Sequence, residues 1–89
     1  MSTPPPRLVV LTPRQRAVLG ELTRDGADDP TIATRLGLSE QTVKTHMRRV
    51  MAAFGATTRT GVVVDCLRGR VRVRVSNNQG RRAEQEETA

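Results

Sequence analysis

Apolar residues recur every three or four positions from residue 13 to residue 54 of this chain, and this spacing is typical of one face of an α-helix. The pattern predicts three helices, over residues 13–24, 29–36 and 40–54. Each helix would bury its apolar stripe against the others. The predicted core positions are Ala17, Val18 and Leu22 with Leu19 at the margin, then Ile32, Ala33 and Leu36, and finally Val43, Met47, Val50, Met51 and Phe54.

Residue types that begin and end helices bound these segments. Thr12 is a suitable N-cap before Pro13, and the hydroxyl of Ser39 can accept from the first free N–H groups of the third helix. Gly26 and Gly37 tolerate a positive φ, which is the usual way to end a helix. The sequence therefore predicts a helix, a tight turn and a second helix around Gly37.

A fourth helix is predicted over residues 59–68, with Thr57 or Thr58 as its N-cap. Gly61 and the valines at 62–64 are weak helix formers, so a strand stays open as the alternative. Tertiary packing, more than intrinsic propensity, decides between the two.

Residues 70–75 alternate arginine and valine strictly, which predicts a strand with one valine face and one arginine face. Three arrangements are possible for this strand. It can pair with its copy in a second subunit, add to the apolar run at residues 8–11, or stay unpaired as a basic arm. A structural or dimerising strand and a DNA-binding arm fit the pattern equally well.

The chain divides into one small domain with tails. Residues 1–10 form a proline-containing N-terminal tail, because the three prolines at 4–6 favour an extended segment. The domain covers residues 11–69, the strand or basic arm covers 70–75, and the polar residues 76–89 form a disordered tail. A methionine at the first position favours a free-standing small protein over a fragment.

The charge of the chain indicates a polyanionic partner. Its 89 residues carry a net charge of +6, although Glu84, Glu86 and Glu87 add acid near the C-terminus. A basic surface gains affinity for nucleic acid by releasing condensed counterions. Charge alone does not separate nucleic acid from an acidic protein or an anionic membrane.

Several other classes of protein are excluded. No apolar run approaches the ~20 residues that span a bilayer, and the amino end lacks the apolar segment of a signal peptide. The sequence therefore predicts a cytoplasmic protein that does not bind a membrane. Cys66 and His46, each the only residue of its type, are expected to be a buried thiol and a partly buried helix residue. Without paired carboxylates, metal-ligand spacing or a phosphate loop, we predict no enzymatic activity, no cofactor and no small-molecule ligand.

Three stretches of the sequence carry a family resemblance. They are Leu-Thr-Pro-Arg-Gln-Arg-Ala-Val-Leu at 11–19, Ile-Ala-Thr-Arg-Leu-Gly-Leu-Ser-Glu-Gln-Thr-Val-Lys-Thr-His at 32–46, and Thr-Arg at 58–59. Together they resemble the LuxR/GerE-type helix-turn-helix, the output domain of NarL- and FixJ-like regulators. The resemblance implies an all-α, four-helix LuxR-type bundle whose third helix enters the major groove and whose fourth forms the dimer contact.

Site residues follow from the resemblance, position by position. It implies that Lys44, Thr45 and Arg48 read bases, that Thr42 and Arg49 contact phosphates, with Thr31 and Arg59 as weaker phosphate contacts, and that Val63, Cys66 and Leu67 contribute to dimerisation. The side-chain chemistry at the three base-reading positions agrees with this implied role. Arginine and lysine can donate to guanine O6 and N7, and a threonine methyl can contact the thymine methyl.

The chain also departs from the family pattern. Thr31 stands where the family usually has a glutamate, Gly61 and the neighbouring valines weaken the fourth helix, and the arginine-valine tract has no counterpart. The leading prediction is a transcription regulator that binds specific double-stranded DNA sequences as a homodimer. The alternative is an interaction module that docks RNA polymerase or a larger regulator by strand addition at residues 70–75.

Overall fold

Four helices and a two-stranded parallel sheet make up the computed structural model, which describes residues 4–76. In chain order they are β1 (Arg7–Leu11), α1 (Pro13–Asp25), α2 (Asp29–Leu36), α3 (Glu40–Phe54), α4 (Arg59–Leu67) and β2 (Val71–Val75). The predicted four-helix bundle with a short C-terminal strand is confirmed. Of the predicted tails, residues 1–3 and 77–89 lie outside the described residues.

The helices begin where the capping residues predict. Thr12 and Gln15 form a capping box, in which the Gln15 N–H donates to Thr12 Oγ1 at 3.2 Å and the Thr12 N–H donates to Gln15 Oε1 at 3.1 Å. Thr58 caps α4 by accepting from the Gly61 N–H at 3.0 Å. The segment is helical despite its valines because Val62 is fully buried in the core.

The core lies between the helices and the inner face of β1. Its apolar members are Val9, Leu11, Val18, Leu19, Leu22, Ile32, Ala33, Val43, Met47, Val50, Phe54 and Val62. The predicted stripe of α3 is confirmed, with Met51 and Leu36 packed at its border. His46 is fully buried, so its expected partial burial underestimates how deep this face of α3 lies.

The prediction for α1 is wrong at two positions. Ala17 is exposed and lines a surface cleft with Leu36 and Leu38, whereas Leu19 is 2% exposed. The reason is geometric. At ~100° per residue, Val18, Leu19 and Leu22 share an arc of about 100°, and Ala17 falls outside that arc.

The two strands lie side by side in one register. Arg7 pairs with Val71, Val9 with Val73, and Leu11 with Val75. Of the three arrangements predicted for the arginine-valine strand, addition to the 8–11 run is the one observed within the described chain.

β1 extends the folded region toward the N-terminus. The sequence predicts that residues 7–10 belong to the N-terminal tail, yet they form most of this strand, and Val9 is 3% exposed. The reason is that side chains alternate along a strand, so Val9 and Leu11 point into the core while Leu8 and Val10 point outward.

Arg7 ties the sheet to the helices. Its guanidinium donates to the carbonyl of Phe54 at 2.9 Å, which gives one of the last carbonyls of α3 a partner. It also lies 3.6 Å from the carboxylate of Asp65 on α4, and Arg70 lies 3.7 Å from the same carboxylate. The C-terminal end of α3, the end of α4 and both strands therefore meet at one place.

Within residues 4–76 no single helix is long and apolar enough to cross a membrane. Only α3 and α4 taken together, bent by 54° at the break between them, would reach the required length and composition. In the same part of the chain, no group of three histidine, cysteine, aspartate or glutamate side chains is arranged to hold a metal ion.

Candidate nucleic-acid interface

The turn between α2 and α3 is fixed by its own backbone. Gly37 has φ 68°, its N–H donates to Thr34 O at 3.4 Å, and the Leu38 N–H donates to Ala33 O at 2.9 Å. This pair of bonds is a Schellman motif, which ends a helix and redirects the chain. Leu38 packs against the core next to the turn. The angle at which α3 leaves α2 is set by these contacts.

Ser39 starts α3 immediately after the turn. Its hydroxyl oxygen accepts from the Thr42 N–H at 3.1 Å, and the hydroxyl donates to Thr42 Oγ1 at 2.9 Å. Glu40 lies in the first turn of the helix, where a carboxylate interacts favourably with the helix dipole. The first turn of α3 is thus held in place before any ligand is present.

α3 has one buried face and one outward face. The buried positions are Val43, His46, Met47, Val50 and Phe54, and the exposed positions are Glu40, Gln41, Lys44, Arg48, Ala52 and Ala53. The buried face packs against α1, α2 and β1. The helix is therefore fixed by the core and leaves its opposite face to solvent.

Lys44 and Arg48 lie one turn apart on the outward face and are both exposed. Within residues 4–76 neither forms an ion pair, even though Glu40 precedes Lys44 by one turn. The structure therefore brings together the two cations that were predicted to read bases and leaves their charged ends in solvent.

Thr45 lies beside these cations and is half-buried. Its hydroxyl donates to the carbonyl of Gln41 at 3.1 Å. The hydroxyl is thus held by the backbone of α3, and base reading by Thr45 stays a prediction.

Gln41 is exposed on the same face, but the sequence prediction did not include it among the site residues. Its position three residues before Lys44 was the available signal. A glutamine amide can donate to and accept from the adenine edge.

The predicted phosphate contacts on α3 lie along one side of this face, about 20° apart on a helical wheel. Thr42 is half-buried and bound to Ser39, as described above, and Arg49 is also half-buried. Both flank the row formed by Gln41, Lys44 and Arg48. Side chains at the border of a reading helix are placed to reach a DNA backbone.

The amino end of α2 differs from the expected anion site. Thr31 was predicted to contact phosphate there, but its N–H donates to the carboxylate of the N-cap Asp28 at 3.1 Å. Hydrogen bonds from Thr31 lower the pKa of Asp28, so this carboxyl group stays ionised. Asp29 adds a second carboxylate in the first turn. The Thr31 N–H that a phosphate would bind is therefore already occupied by the Asp28 carboxylate.

Arg59 is held by the same helix end. Its guanidinium forms an ion pair with Asp29, a residue only 8% exposed. The pair joins the start of α4 to the start of α2. A phosphate contact by Arg59 would compete with this partner, which the sequence pattern could not show.

Acidic side chains on the other elements are largely neutralised by arginines. Arg35 binds Asp25 at 3.0 Å and Glu21 at 3.1 Å, and the hydrogen bond from Arg35 lowers the pKa of Asp25. Asp29 and Asp65 are paired as described above. Among the described residues, the outward face of α3 is therefore a cationic surface with Glu40 as its only acid.

α4 presents a second exposed surface. Leu67 is 78% exposed and shares the side opposite Val62 with Thr60 and Val64, since these three lie within ~60° on a helical wheel. Of the residues predicted for dimerisation, Val63 and Cys66 pack partly against the core, and burial raises the pKa of the Cys66 thiol. Leu67 is thus the predicted dimer residue that is most available to a partner.

Known proteins match the chain over the helical region. The family described as bacterial regulatory proteins, luxR family, matches residues 9–65. The chain belongs to this family. A LuxR-family domain at these positions confirms the resemblance seen in the sequence and supports a role in transcription regulation by DNA binding.

A curated relative agrees with this membership. The monoamine regulon transcriptional regulator of Klebsiella aerogenes is 39% identical over 54 residues, which make up 61% of this chain and 23% of that protein. The chain thus spans less than a quarter of the length of this relative. No solved structure gives a significant match.

Proposed function

We propose that this LuxR-family chain reads specific duplex DNA sequences by placing α3 in the major groove, with two copies bound to two half-sites. The observation that carries the proposal is the outward face of α3, where Lys44, Thr45 and Arg48 lie together behind a turn fixed by Gly37 and Ser39. An α-helix fits the major groove, and cations on its exposed side meet guanine acceptors and phosphates.

The fixed turn supports the reading role. Binding by a preformed surface avoids the entropic cost of ordering it. Because α3 is capped, buried on one side and bound at its C-terminal end by Arg7, its reading residues need no refolding to enter a groove. Thr42 and Arg49, which lie on the same side of this face, would then position the helix against one of the two phosphate backbones.

Selection of binding sites from a random duplex library tests the proposal. We expect one enriched motif made of two related half-sites about 10 base pairs apart, since paired recognition helices lie ~34–36 Å from each other. Affinity for the motif should fall steeply between ~50 and ~200 mM salt, because phosphate contacts release counterions. A library that stays unenriched after repeated rounds would contradict sequence-specific reading.

We infer that α4 forms the contact between the two copies, through Leu67 with Val64 and Thr60. A leucine that is 78% exposed gains by burial against a partner. Val63 and Cys66 would support this contact from the core side.

Leu67→Glu is expected to convert a dimer into a monomer. A carboxylate at this position would bring two like charges together across a twofold axis. Sedimentation velocity over a range of concentrations measures the change, and the selected DNA should then be bound at least about tenfold more weakly, because two linked half-sites bind better than one. Leu8→Glu is the matched control, as Leu8 is 57% exposed but lies in β1. If Leu8→Glu alone dissociates the dimer, the sheet and not α4 is the contact.

A further inference from the structure

Among the described residues, β2 pairs with β1 along one edge, and its other edge is called the open edge below. The Arg7 N–H donates to Arg70 O at 2.9 Å, and the Ser76 N–H donates to Leu11 O at 2.9 Å, so the backbone groups at even positions of β2 face β1. In a parallel pair, backbone direction alternates along the strand. The N–H and C=O groups of Val71, Val73 and Val75 therefore point away from β1.

No further strand of residues 4–76 pairs with this edge. β1 packs against α1 and α3, whereas β2 has β1 as its main neighbour. Within residues 4–76, the outward backbone groups of Val71, Val73 and Val75 make no hydrogen bonds. A strand edge in this condition is a template for a further strand.

The side chains along the edge alternate in chemistry. Val71, Val73 and Val75 are half-buried on the inner face of the sheet, and Arg72 and Arg74 are exposed on its outer face. In the described chain, Arg72 and Arg74 form no ion pair. A strand added at this edge would thus meet valines on one face and cations on the other.

We propose that the open edge of β2 binds an extended segment of a partner protein in which acidic and aliphatic residues alternate. The segment adds a third strand to the sheet. Its aliphatic side chains cover the half-buried valines, and its carboxylates lie beside Arg72 and Arg74, where opposite charges on neighbouring strands are stabilising. Because side chains alternate with a period of two in both β2 and the bound segment, a shift by one residue would place carboxylates against the valines. The alternation therefore fixes the register of binding.

A second copy of this chain fits the edge less well. If β2 paired antiparallel with its own copy and kept the valines on one face, Arg72 would lie opposite Arg72 or Arg74 of that copy. Like charges directly opposite each other on adjacent strands are destabilising. DNA fits less well too, because phosphates accept hydrogen bonds but cannot cover valines or donate to the open carbonyls.

A synthetic peptide provides the test. The probe is a short capped peptide of alternating glutamate and valine, added to the full chain labelled with ¹⁵N. We expect the amide signals of Val71, Val73 and Val75 to shift on titration and their hydrogen exchange to slow at least about tenfold, since each N–H gains an acceptor. The same peptide N-methylated at every residue keeps its charge but has no backbone N–H left to donate from either edge, and it should not bind.

Substitutions locate the charge recognition. Arg72→Gln together with Arg74→Gln should weaken peptide binding about tenfold, which is ~1.4 kcal/mol divided between two cross-strand ion pairs. Arg24→Gln together with Arg68→Gln removes the same charge from two exposed positions off the sheet and should leave the affinity unchanged. A peptide of alternating lysine and valine should not bind.

Each other result would overturn the proposal in its own way. Equal binding by the N-methylated peptide would mean attraction by charge alone. Slow exchange at Val73 before any peptide is added would mean that the edge is already covered, by the same chain if the protection is independent of concentration and by a second copy if it is not. If the peptide does not bind and the double Arg72 and Arg74 variant loses DNA affinity instead, the arginines contact phosphates. The selected DNA motif is a separate readout, so the proposed function stands or falls independently.

Discussion

Arg48→Ala is expected to lower affinity for the selected DNA site roughly ten- to a hundredfold, because a guanidinium that grips guanine contributes ~1–3 kcal/mol of discrimination. Affinity for unrelated duplex should fall much less, since only one charge is lost. The side chain is exposed on α3 and pairs with no acid in the described chain, so its removal leaves the fold intact. The expected outcome is a loss of preference for the selected DNA sequence, with binding to duplex DNA in general largely retained.

Two variants sharpen this prediction. Arg48→Lys keeps the charge but lacks the planar fork, and should retain binding to unrelated DNA while losing most of the preference at one base pair. Lys44→Ala should relax the preference at a neighbouring base pair.

Competition assays with single-base variants of the selected site measure both effects. Arg24→Ala is the charge-matched control, as the side chain of Arg24 is 70% exposed at the end of α1. If Lys44→Ala and Arg48→Ala weaken all duplexes equally, these residues contact phosphates and the reading face lies elsewhere.

Phe54→Ala is expected to destabilise the domain by ~3–5 kcal/mol, the usual cost of emptying a buried aromatic position. Phe54 is 1% exposed and is the only aromatic residue of the chain. It ends α3 at the place where Arg7 binds the helix and the sheet begins. A loss of this size is a large part of the free energy of unfolding of a typical domain, which is ~5–15 kcal/mol.

Urea unfolding followed by far-ultraviolet circular dichroism measures this change, because the chain has no tryptophan or tyrosine for fluorescence. Phe54→Leu is the control, since it preserves most of the volume and should cost less than ~1.5 kcal/mol. A loss below ~1 kcal/mol in Phe54→Ala would mean that the sheet and α3 are stabilised independently of this side chain. DNA affinity should fall only in proportion to the unfolded fraction.

Local signals determined the helices of this protein. The bounds of α2 and α3 match the prediction, because Gly37 and Ser39 act through bonds to residues at most five positions away. The outward face of α3 could be predicted equally well, since helical periodicity alone separates Val43 and Met47 from Lys44 and Arg48.

The limits of the prediction lie in contacts between distant residues. Ala17 and Leu19 lie on opposite sides of Val18 on the helical wheel, and the way α1 packs onto the rest of the core leaves Leu19 buried and Ala17 exposed. The sequence places Arg59 as a cation at the start of a helix. The structure shows that it forms an ion pair with Asp29, thirty positions earlier. Which side chain is buried and which carboxylate an arginine binds depend on residues that are distant in sequence but close in space. A periodic pattern carries no information about such proximity.

The sheet shows the same division most clearly. Its alternation of arginine and valine determined by itself that residues 70–75 favour a strand with two unlike faces. Only the tertiary structure decided that the partner is the run from Arg7 to Leu11 and that the two strands are parallel. The physical reason is that backbone hydrogen bonds carry no sequence code, so register and partner are fixed by which faces must be buried, here those of Val9 and Leu11 against the helices.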